Sequence, residues 1–348
     1  MVRLVKFDPD VEARVQKIEQ MPRDSLVAAV LTSLQRGEPA VDWITAAALA
    51  VSRSSELPAD HHGGPIHPVA GIYAVAGMTD RLKGEDRHIP VLQCVALANK
   101  HVNLPSMGPT VMVAFEDLNV DCDPIRVLTR LASQIERRQP RLAERSLAVA
   151  CQIATPGEVL NCLLDTALKR NSLDDHYLLY TGYAFRALEV IGWQWAEVIL
   201  RPVVRYLSRH HSFDAFGEFT VETISEGIDL YRRFHELEDL IEQHQLNESG
   251  NPLNTTMAET DAIAELADKI GKVNCIATLP PVIAEAMGNG LSLAGTIEAI
   301  SIGGARLFLR SHTANPYDVH VHTGTAIRRF FINIPEVEFR HKVIALLG

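Results

Sequence analysis

Among the fourteen histidines of this chain, those in three short segments have neighbours suited to binding a metal ion. The first segment is Asp60-His61-His62-Gly63-Gly64-Pro65-Ile66-His67-Pro68, followed by an apolar stretch. His61, His62 and His67 fall within seven residues, beside two glycines that let the backbone turn sharply, so two of them could reach one ion. The same residues would also suit a polar surface loop that caps a helix. In the second segment His176, Tyr180 and Tyr183 lie at i, i+4 and i+7, so one helix face presents an imidazole and two phenols. Such a stripe can equally be core. The third segment, 311–324, carries His312, His320 and His322. His320 and His322 point to one side only in an extended chain. In a helix they diverge by roughly 200°, leaving one as ligand and the other as a supporting or solvent-facing group.

The other candidates are weaker. His210 and His211 follow an expected helix end, where a protonated imidazole complements the dipole. His235 and His244 sit among Glu236, Glu238, Asp239 and Glu242 on a charged face. Glu85 with His88, and Glu338 with His341, have the Glu-x-x-His spacing of di-iron carboxylate bundles. The first pair lies in a charged turn and the second beside the chain end, so neither is expected to bind iron. Cys94, Cys122, Cys151, Cys162 and Cys275 form no CxxC pair and read as buried thiols. No GxSxG, P-loop or dinucleotide fingerprint is present, so nucleophilic hydrolysis and nucleotide binding have no motif behind them.

The elements that must position these side chains are helices. Apolar residues recur at helical spacing almost throughout, and no sustained alternation of period two is bounded by hairpin turns. The fold class expected is all-α: a compact multi-helix bundle forming one domain over residues 1–348, with irregular histidine-bearing connections at 54–67 and 311–320. Helices are expected over 9–20, 89–102, 156–169, 174–191, 291–310, 323–331 and 337–347, among others. Thr155-Pro156 and Asp123-Pro124 each place an N-cap side chain before a proline at the first helical position. The chain's 348 residues, 47% of them hydrophobic, are enough to bury a substantial core. A formal charge of -10 argues against a nucleic-acid partner, which needs clustered Lys and Arg. Apolar runs such as 43–51 and 275–284 are far shorter than the roughly 20 residues of a membrane span, and the first residues lack a secretory signal pattern. No membrane association and a cytoplasmic location are therefore expected.

Three stretches taken in order resemble the questin oxidase-like family, helical oxygenases associated with polyketide and anthraquinone oxidation. His67-Pro68-Val69-Ala70-Gly71-Ile72-Tyr73-Ala74-Val75-Ala76-Gly77 is similar to the family's N-terminal pattern of a histidine followed by an apolar helix. His176-Tyr177-Leu178-Leu179-Tyr180-Thr181-Gly182-Tyr183-Ala184-Phe185 is similar to its His-Pro-Leu-Ile-His-Leu-Gly-Tyr-Ala stretch, with Tyr180 where the family has a second histidine. His320-Val321-His322-Thr323-Gly324 resembles the His-x-x-Thr helix start.

The resemblance implies non-haem iron held by several histidines. His67, His176 and His320 are then core ligands, and His61, His62, His312 and His322 further ligands or supporting groups. Imidazole-rich, thiolate-free ligation suits Fe(II), Zn(II), Cu(II) or Ni(II), and the resemblance selects Fe(II). Tyr180 and Tyr183, with Tyr73 and Tyr317, become candidates to hydrogen-bond substrate or bound oxygen. The expected function is a metal-dependent oxygenase or oxidase acting with O2 on a hydrophobic, aromatic or polyketide-like small molecule. A separate electron-transfer protein would serve a monooxygenase of this type. The competing expectation is a non-catalytic helical interaction or assembly protein that retains the fold.

Overall fold

The computed structural model describes residues 3–54, 66–104, 112–115, 118, 123–171, 175–208, 230–255, 257–275, 278–310 and 318–348. Among these the fold is all-α, as the periodicity predicts. An isolated antiparallel bridge between Leu4 and Val113 is the extended pairing they contain. None of the helices among the described residues is long and apolar enough to cross a membrane. The chain divides into two compact units, Met1–Val159 with Tyr183–Arg209, and Leu160–Gly182 with His210–Gly348.

The first unit contains α1 (Pro9–Gln20), α2 (Arg23–Gln35), α3 (Ala40–Arg53), α4 (Ile66–Ala70), α5 (Ile72–Arg81), α6 (Ile89–Val102), α7 (Pro124–Glu136) and α8 (Pro140–Ile153). It also takes the start of α9 (Pro156–Lys169), the later part of α10 (His176–Ile191), and α11 (Ala196–Leu207). Helix α3 is its axis. Every residue from Trp43 to Arg53 is buried, because α3 packs on α1, α6 and α11 and so shows no face to water. Arg53 at its end donates to Glu19 through Nε (2.9 Å) and Nη2 (2.8 Å) and to Glu12 through Nη1 (2.7 Å), tying α1 to α3. Both expected caps form. The amides of Ile125 and Arg126 donate to Asp123, and Thr155 and Glu158 make a reciprocal capping box.

The second unit contains Leu160–Lys169 of α9, the first turns of α10, and then α12 (Leu230–Gln243), α13 (Thr260–Lys272), α14 (Leu279–Gly288), α15 (Leu293–Arg310), α16 (Asp318–Asn333) and α17 (Phe339–Leu347). Leu266, Ala267 and Ile270 of α13 and Ile297, Ala299 and Gly303 of α15 are the buried positions of a closely packed helix pair. Glu259 fastens the start of α15 by accepting from the Ser292 amide (2.6 Å) and hydroxyl (2.7 Å). Buried Asn251 donates to the carbonyls of Met287 (2.6 Å) and Leu291 (3.1 Å), which lie in and after the last turn of α14.

Three expectations change. The connection at 311–320 ends earlier than its residue types suggest, because Asp318 already opens α16. The stripe of Ile327, Arg328 and Phe331 continues upstream through Gly324 to His320 at helical spacing, and its packing carries the helix back over the polar residues. The connection at 54–67 likewise gives way to α4 at Ile66, while 55–65 and 311–317 lie outside the described residues. The cysteines are not uniformly buried. Cys275 is exposed, and Cys94, Cys151 and Cys162 are half-buried, with burial pushing the Cys94 thiol up to about 12. Cys122 lies outside the described residues.

Candidate functional site

The start of α10 and the start of α16 meet in the second unit, and the meeting brings two of the expected ligands together. His176 is the first residue of α10 and is buried at 6% exposure. The half-buried His320 lies in the first turn of α16. Their rings meet edge to face at 85°, with centroids 4.9 Å apart. Tyr180, one turn along α10 and 1% exposed, stacks on the ring of His176 at 4.8 Å and 7°.

Two glycines allow this approach. A Cβ on Gly182 of α10 would stand 2.7 Å from Cγ2 of Ile327 and 3.0 Å from Cζ of Phe331, both on α16. A Cβ on Gly324 of α16 would stand 2.1 Å from Oδ2 of Asp175, the residue before His176. Each helix therefore contributes one bare stretch of backbone to the contact. Arg328 donates to both oxygens of Asp175, through Nη1 at 2.6 Å and Nη2 at 2.9 Å. Its Nε donates to the Ala345 carbonyl of α17 at 2.7 Å. The histidine pair thus sits beside a matched cation and anion.

The separation of the rings suits a shared ion. With metal–nitrogen bonds of about 2.1 Å and a near-right-angle bond angle, two imidazoles on one metal have ring centres roughly 5 Å apart. Among the described residues no group of three or more His, Cys, Asp or Glu side chains is placed to hold a metal. The described part of the site therefore offers two imidazoles side by side and no third ligand.

The other expected residues are placed as follows. His67 is exposed on α4 and belongs to the first unit, as does the half-buried Tyr183. His322 is exposed, its ring 5.2 Å from that of Phe308, because two residues along a helix turn it away from the face that carries His320. Tyr73 is partly exposed beneath the guanidinium of Arg186, 4.0 Å from its ring centre, within the first unit. His61, His62, His312 and Tyr317 lie outside the described residues.

Sequence reading assigned no role to Asp175, Gly324 or Arg328. Asp175 and Arg328 are 153 positions apart, and no local spacing signals their pairing. It also missed the partners of His341, a buried residue of α17. Its Nδ1 lies 3.0 Å from Oδ1 of Asn161 and its Nε2 3.0 Å from Oδ1 of Asp165. Asn161 is fixed in orientation, since it donates to the Glu336 carbonyl (2.7 Å) and accepts from the Glu338 amide (3.0 Å). Both ring nitrogens of His341 therefore lie within hydrogen-bonding distance of side-chain oxygens on α9. The Glu338 to His341 spacing thus serves a clamp between α9 and α17.

The fold and the site together define an all-α protein with a histidine pair, one member buried and one half-buried, at the contact of two helices. Compared with protein-family models, curated proteins and solved structures, the chain matches none.

Proposed function

We propose that this chain is a metal-dependent oxygenase or oxidase of the non-haem iron type, acting with O2 on a hydrophobic, aromatic or polyketide-like small molecule. The observation that carries this reading is the contact of His176 with His320, two histidines from separate segments whose rings stand 4.9 Å apart. The order of the segments and their resemblance to the questin oxidase-like pattern point the same way.

In this reading His176 and His320 hold Fe(II), with His312 as a candidate further ligand and His322 as a supporting group. Iron bound there supplies a centre that activates O2. Tyr180, stacked on His176 and itself buried, fixes the plane of that imidazole and covers one face of it. Tyr183, further along the same helix, is a candidate to orient substrate. A separate electron-transfer protein completes the system if one oxygen atom of O2 is to be reduced to water. A second reading, a non-catalytic helical interaction or assembly protein, is favoured by the solvent exposure of His67 and His322.

Elemental analysis of protein purified without chelator tests the proposal, using the unsubstituted chain, His176→Ala and His320→Ala. The expected result is near-stoichiometric iron in the first and loss of most of it in both variants. Equal, negligible metal in all three would overturn the metal reading and leave the second.

A further inference from the structure

We propose that Asp175, gripped by Arg328 across Gly324, is the positioning residue that sets His176 against His320. What the histidine pair is used for rests on the metal reading above, whereas the positioning is a property of the chain alone.

Three observations converge on Asp175. Its backbone has φ 55°, in the left-handed region that L residues seldom enter, although Asp and Asn do so more readily than most. Its carbonyl accepts from the Leu179 amide at 2.8 Å, so α10 begins from this residue and its direction follows from the conformation there. His176 is the very next residue. The Asp175 carboxylate is held at both oxygens by one guanidinium, with Asn171 donating to Oδ1 as well.

The other half of the device lies on α16. His320, Gly324 and Arg328 follow one another at i, i+4 and i+8, so three successive turns of one helix face present an imidazole, bare backbone and a guanidinium. A Cβ at position 324 would stand 2.1 Å from Oδ2 of Asp175 and 2.7 Å from Nη1 of Arg328, so any side chain there displaces the ion pair. The bond from Arg328 Nε to the Ala345 carbonyl holds the guanidinium to α17. A bidentate carboxylate–guanidinium pair fixes direction as well as distance. His176 directly follows Asp175, and His320 lies two turns before Arg328 on the same helix face, so the pair sets how the two segments that carry them meet.

Gly324→Ala is the sharpest test, because alanine favours the helix while its methyl group opens the ion pair. Gly77→Ala is the control, a helical glycine with nothing within 4 Å of its added Cβ. Protein carrying ring-labelled histidine is examined for the ring-to-ring NOE between His176 and His320, assigned with His176→Gln and His320→Gln. Circular dichroism and Fe(II) affinity are measured on the same samples.

The cross-peak is expected in the unsubstituted chain and in Gly77→Ala. It should be lost in Gly324→Ala and Asp175→Ala at unchanged helix content, and weakened in Arg328→Lys, which keeps the charge without the fork. Fe(II) affinity should fall about 10- to 100-fold in the variants that lose the cross-peak, as when groups that orient a ligand are removed. A cross-peak of full strength in Gly324→Ala and Asp175→Ala overturns the proposal. If Gly324→Ala does not fold, Arg328→Lys and Asp175→Asn decide by the same signal. An intact cross-peak with no metal bound to the unsubstituted chain overturns only the metal reading, and absence of the cross-peak from that chain overturns both.

Discussion

Nε2 of His341 stands 3.0 Å from Oδ1 of Asp165, and this hydrogen bond is the main reason the Asp165 carboxyl is held below the usual carboxylate range. Partial burial opposes the shift, while the charges of His341, Lys169 and Arg340 add to it. The unfolded chain therefore takes up the proton first on acidification. The stabilisation is whole above about pH 4, the value for an unperturbed aspartate, and is lost as pH falls through the lower folded value. Asp165→Asn should cost about 1–2 kcal/mol at neutral pH, because buried His341 loses a charged acceptor. Urea unfolding of both proteins checks this. The gap should close as the pH falls through the lowered folded value, and a gap of the same size once the carboxyl is protonated would count against the assignment.

Glu144 is the common acceptor of two arginines in the first unit. Arg201 Nε reaches its Oε2 at 2.9 Å and Arg205 Nε its Oε1 at 2.7 Å, with Glu144 only 3% exposed. Burial pushes the Arg201 guanidinium down and the neighbouring Glu197 carboxyl up, so the cluster depends on its internal pairing. Glu144→Ala should cost about 3–5 kcal/mol, because it leaves buried positive charge uncompensated. The double variant Glu144→Met/Arg201→Met should lose less than the two single changes added together. Chemical denaturation of the three variants measures this coupling, and strict additivity would show that the residues do not act as one network.

Gly182 tests the helix contact from the side opposite Gly324. Alanine there gains helix propensity but drives a methyl group against Ile327 and Phe331. Overpacking should dominate, with a net loss of about 1–3 kcal/mol in urea unfolding. Removing the opposing Cγ2, as in Gly182→Ala/Ile327→Ala, should cost less than the two single changes added together. A Gly182→Ala protein as stable as its parent would mean that α10 and α16 can part at little cost.

Local sequence determined which segments are helical and where several of them begin. The apolar spacing of Pro9–Gln20, Ile89–Val102 and Pro156–Lys169 reads directly as helix, and the caps at Asp123 and Thr155 mark the starts of α7 and α9, because each depends on residues within a few positions. The histidine segments were legible as candidates for the same reason.

Tertiary structure decided which histidines meet. His320 and His322 are equivalent as residue types, and only the packing of Ile327 and Phe331 extends α16 upstream, turning His320 inward beside His176 and leaving His322 in solvent. The Asp175–Arg328 pair and the His341 clamp join residues 153 and 176 positions apart, so no periodicity could announce them. Their partners become neighbours only when helices bring distant backbone together, and the approach of α10 to α16 is possible because Gly182 and Gly324 carry no side chains.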